Sequence, residues 1–239
     1  MTIADTGRGF ASAKVAASLG AFVPPMRIQA SILARRERSV LDHLCEASPQ
    51  WVTPDRLTAA GFIGAVVTAA GYVASNLSHA FLFLASFGLI LNWFGDSLDG
   101  SLARYRKLER HRYGFFLDHS VDAGSNLLIT IGLGLSPFVS MEVALFTLVG
   151  YLLLALFVFL SHQVSGALRL SFLGFGPTEL RLIMVSLNTT MFLLGPLPIT
   201  LLGREFSRYD VSVGILGLVL IGLFAVNTYR TVSQLARQA

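Results

Sequence analysis

Charge is scarce in this chain. Of its 239 residues only 13% are charged, against 54% hydrophobic, and the mean hydropathy is +0.65. So little charge excludes an ordinary soluble globular domain and places the chain among multi-span membrane proteins. Thiols are nearly absent as well. The single cysteine, Cys45, cannot form an internal disulfide, and no cluster of Cys and His has the spacing of a zinc site. Cys45 is expected to be a small apolar residue of a helix. The beginning of the chain lacks the charged, apolar and small-residue order of a cleavable signal peptide, so insertion is expected to rely on the spans themselves. Nothing in the composition asks for a nucleic-acid partner.

Long apolar runs are what the chain does have. Stretches near the ~20 residues that cross ~30 Å of hydrocarbon occur six times, over 57–75, 79–103, 114–135, 138–160, 179–202 and 211–229. The expected fold is therefore an all-α integral membrane protein with six transmembrane helices, forming one domain over 51–239. Ahead of it, "SILARRERSVLDHLCEA" places Ile32, Leu33, Val40, Leu41 and Leu44 largely on one helical face. This predicts an amphipathic helix within 31–50, lying in the membrane interface with its arginines toward headgroups, or packed on the cytoplasmic ends of the spans. Residues 1–30 form an N-terminal extension without a clear period.

The 18 Lys and Arg residues set the orientation. Seven precede or open the first span, five lie between Arg104 and Arg112, and two each fall between spans four and five, between spans five and six, and after the last. Six crossings leave all but Arg204 and Arg208 on one side, and the loops 75–78 and 136–142 hold none. The positive-inside tendency then puts both termini, and the loop "RYRKLERHRY", in the cytoplasm. That loop serves topology alone, or it also attracts anionic headgroups or a phosphorylated substrate.

Four aspartates stand out against this background. Asp96, Asp99, Gly100 and Ala103 follow i, i+3, i+4, i+7 spacing, and Gly114, Asp118 and Asp122 follow i, i+4, i+8, so each set forms a stripe on one helix. Two antiparallel helices can bring the four carboxylates together. Isolated, each costs a few kcal/mol to hold ionised near lipid depth, so a cation is expected beside them. Hard divalent ions such as Mg²⁺ or Mn²⁺ prefer carboxylate oxygens, and two such ions about 4 Å apart are a common arrangement for phosphoryl chemistry.

The pattern Asp96-x-x-Asp99-Gly100-x-x-Ala103-Arg104, then Gly114-x-x-x-Asp118-x-x-x-Asp122, resembles the signature of the CDP-alcohol phosphotransferase family, integral membrane enzymes of phospholipid synthesis. The pattern covers 27 residues directly, and "VTPDRLTAAG" at 52–61 together with the six spans extends the similarity over about 31–230. One departure is visible: nine residues separate Arg104 from Gly114, where the family usually has seven or eight.

The resemblance implies metal-dependent transfer of a substituted phosphate from a CDP-linked donor to an alcohol, with release of CMP. It assigns Asp96, Asp99, Asp118 and Asp122 to the metal site and Asp122 to the general base. Gly100 and Ala103 fall on the cytidine side, where small residues give room or pack helices closely. Arg104 offers a forked donor to phosphate oxygens, or snorkels to the interface. Thr53, Pro54 and Asp55 match the segment before span one and border the cytidine pocket, although "TPDRL" is equally an ordinary helix start; Gly114 completes the CDP-binding set. His119, in "DHSVD", is similar to its counterpart in choline and ethanolamine phosphotransferases, as a second proton acceptor or an orienting group.

In "GFGPTELRL", Glu179 and Arg181 open span five and are candidates for the acceptor or phosphate site; Arg181, with Arg169, would hold a phosphate on acceptor or donor, as in relatives using inositol phosphate or glycerol phosphate, or the segment is a plain helix start. The expected donor is CDP-diacylglycerol and the acceptor a small polar or phosphorylated alcohol. The alternatives are transfer of phosphocholine or phosphoethanolamine to diacylglycerol, and, in another class, a cation-coupled transporter. By resemblance a homodimer is expected, with the active site facing the cytoplasm and the bacterial inner membrane as location.

Overall fold

The computed structural model describes residues 26–28, 33–165, 167–169, 176–201 and 204–237, with side chains left out at 26–28, 34–36, 165, 167–169, 201, 204 and 205. The order is β1 (Met26–Ile28), α1 (Ala34–Ala47), α2 (Pro54–Ala74), α3 (Phe81–Tyr105), α4 (His111–Gly134), α5 (Met141–Ser165), β2 (Ala167–Arg169), α6 (Pro177–Leu194), β3 (Pro198–Leu201), β4 (Arg204–Ser207) and α7 (Arg208–Ala236). The protein is mostly helical. Four helices, α2, α3, α5 and α7, are long and apolar enough to cross a membrane, and the protein is an integral membrane protein. The two other long helices, α4 and α6, carry Asp118, His119, Asp122 and Asn126, and Glu179, Arg181 and Asn188.

The strands depart from the all-α expectation. β1 pairs in parallel with β2, Met26 opposite Ala167, so part of the N-terminal extension lies beside the end of α5; the rest of 1–30 lies outside the described residues. β3 and β4 form an antiparallel hairpin, Pro198 opposite Ser207, where the apolar run had predicted that span five continues to 202. The helix ends at Leu194 because Gly195 takes the left-handed conformation (φ 66°) and Pro196 and Pro198 cannot donate to a helical ladder.

α2 begins where Thr53 accepts a hydrogen bond from the Arg56 amide and Pro54 occupies the first turn, a start that suits proline's fixed φ. Its most intimate neighbour is α3. The two helices meet backbone to backbone at small residues: an added Cβ would stand 2.4 Å from the Asn92 nitrogen at Gly64, and 2.4 Å from the Gly61 nitrogen at Gly95. Close approach of this kind is how membrane helices associate without a hydrophobic drive between them. α4 also packs chiefly on α2, and barely touches α3. The two aspartate helices thus diverge around α2 and leave a cleft between them.

Two apolar clusters hold the ends. Tyr72, Leu82, Leu89, Phe138, Met191 and Tyr209 belong to the larger one, and Leu41, Cys45, Leu57, Leu98 and Leu102 form the other. The second cluster fixes α1: Leu41 and Cys45 are buried against α2 and α3, while Val40 stays exposed. Polar ties cross the bundle as well. Tyr72 donates to Asn188 (2.9 Å), which donates to Ser86 (3.1 Å), joining α2, α6 and α3. Asp210 accepts from the amide and hydroxyl of Ser140 (2.7 and 3.0 Å) and from the Ser207 amide (2.8 Å), joining the starts of α5 and α7. α7, by contrast, presents Ile215, Leu218, Val219 and Val226 outward, as a lipid-facing helix does.

Candidate active site

Asp96 and Asp99 sit on the last third of α3, and Asp118 and Asp122 on the first half of α4. One oxygen from each of Asp96, Asp118 and Asp122 lies within 4.8 Å of the others. Asp99 lines the same pocket but lies apart from that trio; it is 7% exposed and accepts a 2.5 Å hydrogen bond from Thr58 of α2, with the Gly100 amide as a second donor. The pocket walls are Thr58 and Gly61 of α2, Asn92, Asp96 and Asp99 of α3, and Asp118, Val121, Asp122 and Ser125 of α4, around a cavity of about 10 Å³. That is about the space one water molecule needs, far below the ~300–1,000 Å³ of a pocket for a drug-sized ligand. It has room for a single ion or ligand atom, while a nucleotide and a lipid tail must lie beyond it.

A cation fits this donor set. Three carboxylate oxygens converge, all of them hard oxygen ligands, and neither histidine nor thiol joins the cluster, as Mg²⁺ or Mn²⁺ prefers. Asp96, Asp118 and Asp122 would hold the ion, with Asp99 within the same walls.

Arg181 of α6 reaches into this centre. Its Nη2 lies 2.8 Å from Asp96 Oδ2 and its Nε donates to Asn92 Oδ1 at 3.1 Å, while Nη1 is buried and has no hydrogen-bond partner among the described residues. A buried guanidinium donor without an acceptor is costly, and a phosphate oxygen at that position would satisfy it. Glu179, on the same turn, is engaged differently: its oxygens accept from the amides of Leu33 and Gly176, each at 2.9 Å, and the second bond caps the start of α6. The side chain of Arg169, and Gly174 and Phe175 of the "GFGPTELRL" segment, lie outside the described residues.

His119 points elsewhere. Its ring packs edge-on against Phe115 (centroids 4.5 Å) and Phe159 (5.0 Å), on the α5 side of α4 rather than among the residues lining the pocket. Arg104 is exposed at the end of α3 and donates to Ser101 (3.1 Å). Next to it, a Cβ added at Gly100 would meet only the Arg104 guanidinium, at 3.4 Å, and one at Gly114 would meet nothing within 4 Å, so both glycines border open space. Ala103 is partly buried beside them. Thr53 and Pro54 build the start of α2, and Asp55 forms an ion pair with Arg110, whose guanidinium also lies 4.3 Å from the centre of the Tyr113 ring.

The pocket contains residues that the motif does not name. Asn92 is one turn before Asp96, Ser125 is three residues after Asp122, and Thr58 shares a face of α2 with Gly61. Extending each stripe by one turn finds the first two. Thr58 lies within "VTPDRLTAAG", but nothing in its own spacing shows that α2 wedges between the aspartate helices.

Comparison with known families gives a match over residues 51–229 to the one described as CDP-alcohol phosphatidyltransferase. Among curated proteins, the chain is similar to the archaetidylinositol phosphate synthase of Pyrococcus horikoshii, 32% identical over 99 residues, or 41% of this chain and 50% of that protein. The archaetidylinositol phosphate synthase of Methanothermobacter thermautotrophicus is 34% identical over 94 residues, covering 39% and 45%. The chain thus spans about half the length of the curated relatives it matches.

Proposed function

The chain belongs to the CDP-alcohol phosphatidyltransferase family, and on that premise we propose that it transfers a substituted phosphate from a CDP-linked lipid to an alcohol, releasing CMP. The observation that carries this proposal is the convergence of three carboxylates within 4.8 Å, beside a buried guanidinium with one donor unused among the described residues. A divalent cation held by Asp96, Asp118 and Asp122 would supply charge neutralisation to diphosphate oxygens and so favour departure of CMP. The chain's own residues do the rest. Asp122 accepts the proton of the attacking hydroxyl, since an alcohol is a weak nucleophile near neutral pH. Arg181 Nη1 donates to an oxygen of the phosphate in transfer, and Thr58 holds Asp99 in place against the pocket. The open surface at Gly100, Ala103, Arg104 and Gly114 receives the cytidine and its ribose.

For substrates, CDP-diacylglycerol is the proposed donor and a phosphorylated polyol the proposed acceptor. The names of the two archaeal relatives and the arginine at the centre support this acceptor. Phosphocholine or phosphoethanolamine transfer had rested on His119, and the packing of its ring between two phenylalanines lends that route no support. A transporter has no use for an open nucleotide surface in register with the carboxylates.

All six long helices are proposed to cross the membrane: 24 residues make α4 about 36 Å long and 18 make α6 about 27 Å, near the ~30 Å of hydrocarbon. Both termini and the pocket then face the cytoplasm, by the distribution of Lys and Arg. Cysteines placed at Ser78 and Leu135 in a Cys45-free background test the orientation; labelling of either from the cytoplasmic side overturns it.

The chemical test is a CMP-release screen of purified protein with Mn²⁺ or Mg²⁺, across CDP-linked lipids and polyol phosphates, with the lipid product identified by mass spectrometry. Asp122→Asn should abolish release while the protein remains folded. Failure to release CMP from any donor defeats the proposal, and near-normal turnover of Asp122→Asn removes Asp122 as the base.

A further inference from the structure

A carboxylate that belongs to no motif joins three helices beside the pocket. Glu37 lies on the first turn of α1. Its Oε1 accepts from Trp93 Nε1 (3.1 Å) and Ser97 Oγ (3.2 Å) of α3 and from Thr178 Oγ1 (2.7 Å) of α6. Three donors therefore converge on one oxygen, and bonds to a charged acceptor are roughly twice as strong as neutral ones.

The positions of these donors are what matters. On α3, Trp93 and Ser97 are four residues apart, and each follows directly a residue that Arg181 contacts, Asn92 and Asp96. On α6, Thr178 lies three residues before Arg181, on the same side of the helix. The Glu37 contacts and the Arg181 contacts are thus two adjacent rows of the same α3–α6 junction. One is bridged by a carboxylate from α1 and the other by the guanidinium that meets the metal-ligating carboxylate. A second tie runs in parallel, since the Leu33 amide at the start of α1 bonds to Glu179 of α6. α1 is in turn fixed to α2 and α3 by Leu41 and Cys45, which leaves Glu37 little freedom to follow α6 if the junction opens.

We propose that Glu37 is a positioning residue for the metal centre: it sets the spacing of α3 and α6 so that Arg181 meets Asp96 and leaves Nη1 directed at the phosphate. This rests on the transfer activity proposed above for its kinetic consequence, but not for its effect on metal binding. Removing the bridge lets the start of α6 drift, which turns Arg181 away from Asp96 and frees that carboxylate to move out of register with Asp118 and Asp122.

The test pairs two readouts, turnover in the CMP-release assay and Mn²⁺ binding followed by electron paramagnetic resonance without substrate. Glu37→Ala should lower kcat by about tenfold, less than the roughly 10² that a full 1 Å misplacement costs, with KM for the CDP donor nearly unchanged and Mn²⁺ affinity reduced severalfold. Glu37→Gln keeps an acceptor oxygen and should recover most of both. In an Arg181→Ala background, Glu37→Ala should add no further loss, because the residue acts through Arg181. Losses that multiply in the double variant overturn the proposal, as do wild-type kcat and Mn²⁺ affinity in Glu37→Ala. If wild-type protein releases no CMP, the transfer activity fails and the Mn²⁺ measurement alone decides on Glu37. Should Glu37→Ala not fold, Thr178→Val removes only the α6 donor; it should lower kcat and Mn²⁺ affinity in the same direction, and wild-type values there refute the proposal.

Discussion

Replacing Gly95 by alanine adds one methyl group at the tightest part of the α2–α3 contact. That carbon would lie 2.4 Å from the Gly61 nitrogen, 2.5 Å from the Gly61 Cα and 2.5 Å from the Leu57 carbonyl oxygen, all backbone atoms that no rotamer change can move aside. Restoring an ordinary contact of 3.4 Å requires the helices to part locally by about 1 Å. Overpacking a fitted interior costs about 1–3 kcal/mol, which for a chain of this size lowers the melting temperature by on the order of 5 °C. The damage to the site is larger in proportion. Asp96 is the next residue on α3, whereas Asp118 and Asp122 belong to α4, which packs on α2; parting α2 from α3 pulls the carboxylate trio apart. A misplacement of about 1 Å costs on the order of 10²-fold in rate. The assay is CMP release together with thermal unfolding in detergent, with Gly222→Ala as control because a Cβ there meets nothing within 4 Å. A Gly95→Ala protein that keeps wild-type turnover and melting temperature refutes the reasoning.

Three smaller outcomes follow from the end of the bundle that carries α1 and the basic loop. Arg106 donates to the carbonyls of Val52 (2.6 Å), Ser48 (2.8 Å) and Pro49 (2.9 Å); Arg106→Ala should destabilise by at most about 1.5–3 kcal/mol, less than the sum of three charged bonds because the side chain is partly exposed, and should speed chymotryptic cleavage at the exposed Trp51. Asp55→Asn breaks an ion pair whose side chains are about half exposed; the melting temperature should barely change, and any loss should shrink as salt is added. Burial pushes the Cys45 thiol above its ordinary pKa, with Asp42 adding to the shift. Less thiolate is then present at pH 7, so maleimide labelling of the native protein should be slow, quicken as pH rises and become fast on unfolding.

Long apolar runs located all six long helices, because length and hydropathy are local properties. They overran at 195–202, where Gly195 and two prolines mattered more than continued hydrophobicity. The aspartate stripes were legible from helical period alone. Their assembly was less so: period places Asp96 and Asp122 on faces, but the pocket exists because α2 separates α3 from α4, a consequence of small residues on two helices that must be paired before their meaning is visible. The basic loop carries the same lesson. Positive charge at 104–112 is consistent with topology, yet Arg106 and Arg110 also bind particular carbonyls and a particular carboxylate, and neither partner can be identified before the chain is folded. In the sequence Arg181 is one of several candidates for a phosphate; its contact with Asp96 depends on α6 packing against α3, which no spacing within α6 announces.

The two anchors in that loop bear on how the chain tolerates insertion. Arg106 is fastened to the α1–α2 connection and Arg110 to the start of α2, while Lys107, Leu108 and Glu109 between them are exposed and Lys107 adopts a left-handed turn (φ 56°). By the resemblance noted in its sequence, the chain carries an extra residue between Arg104 and Gly114. Length added between two fixed points bulges toward water and leaves both helices in phase, so Asp99 and Asp118 keep their rotation about their axes. The same insertion within α3 or α4 would swing every following aspartate by about 100°. The anchors therefore mark a stretch in which the protein is free to lengthen or shorten without disturbing its carboxylates.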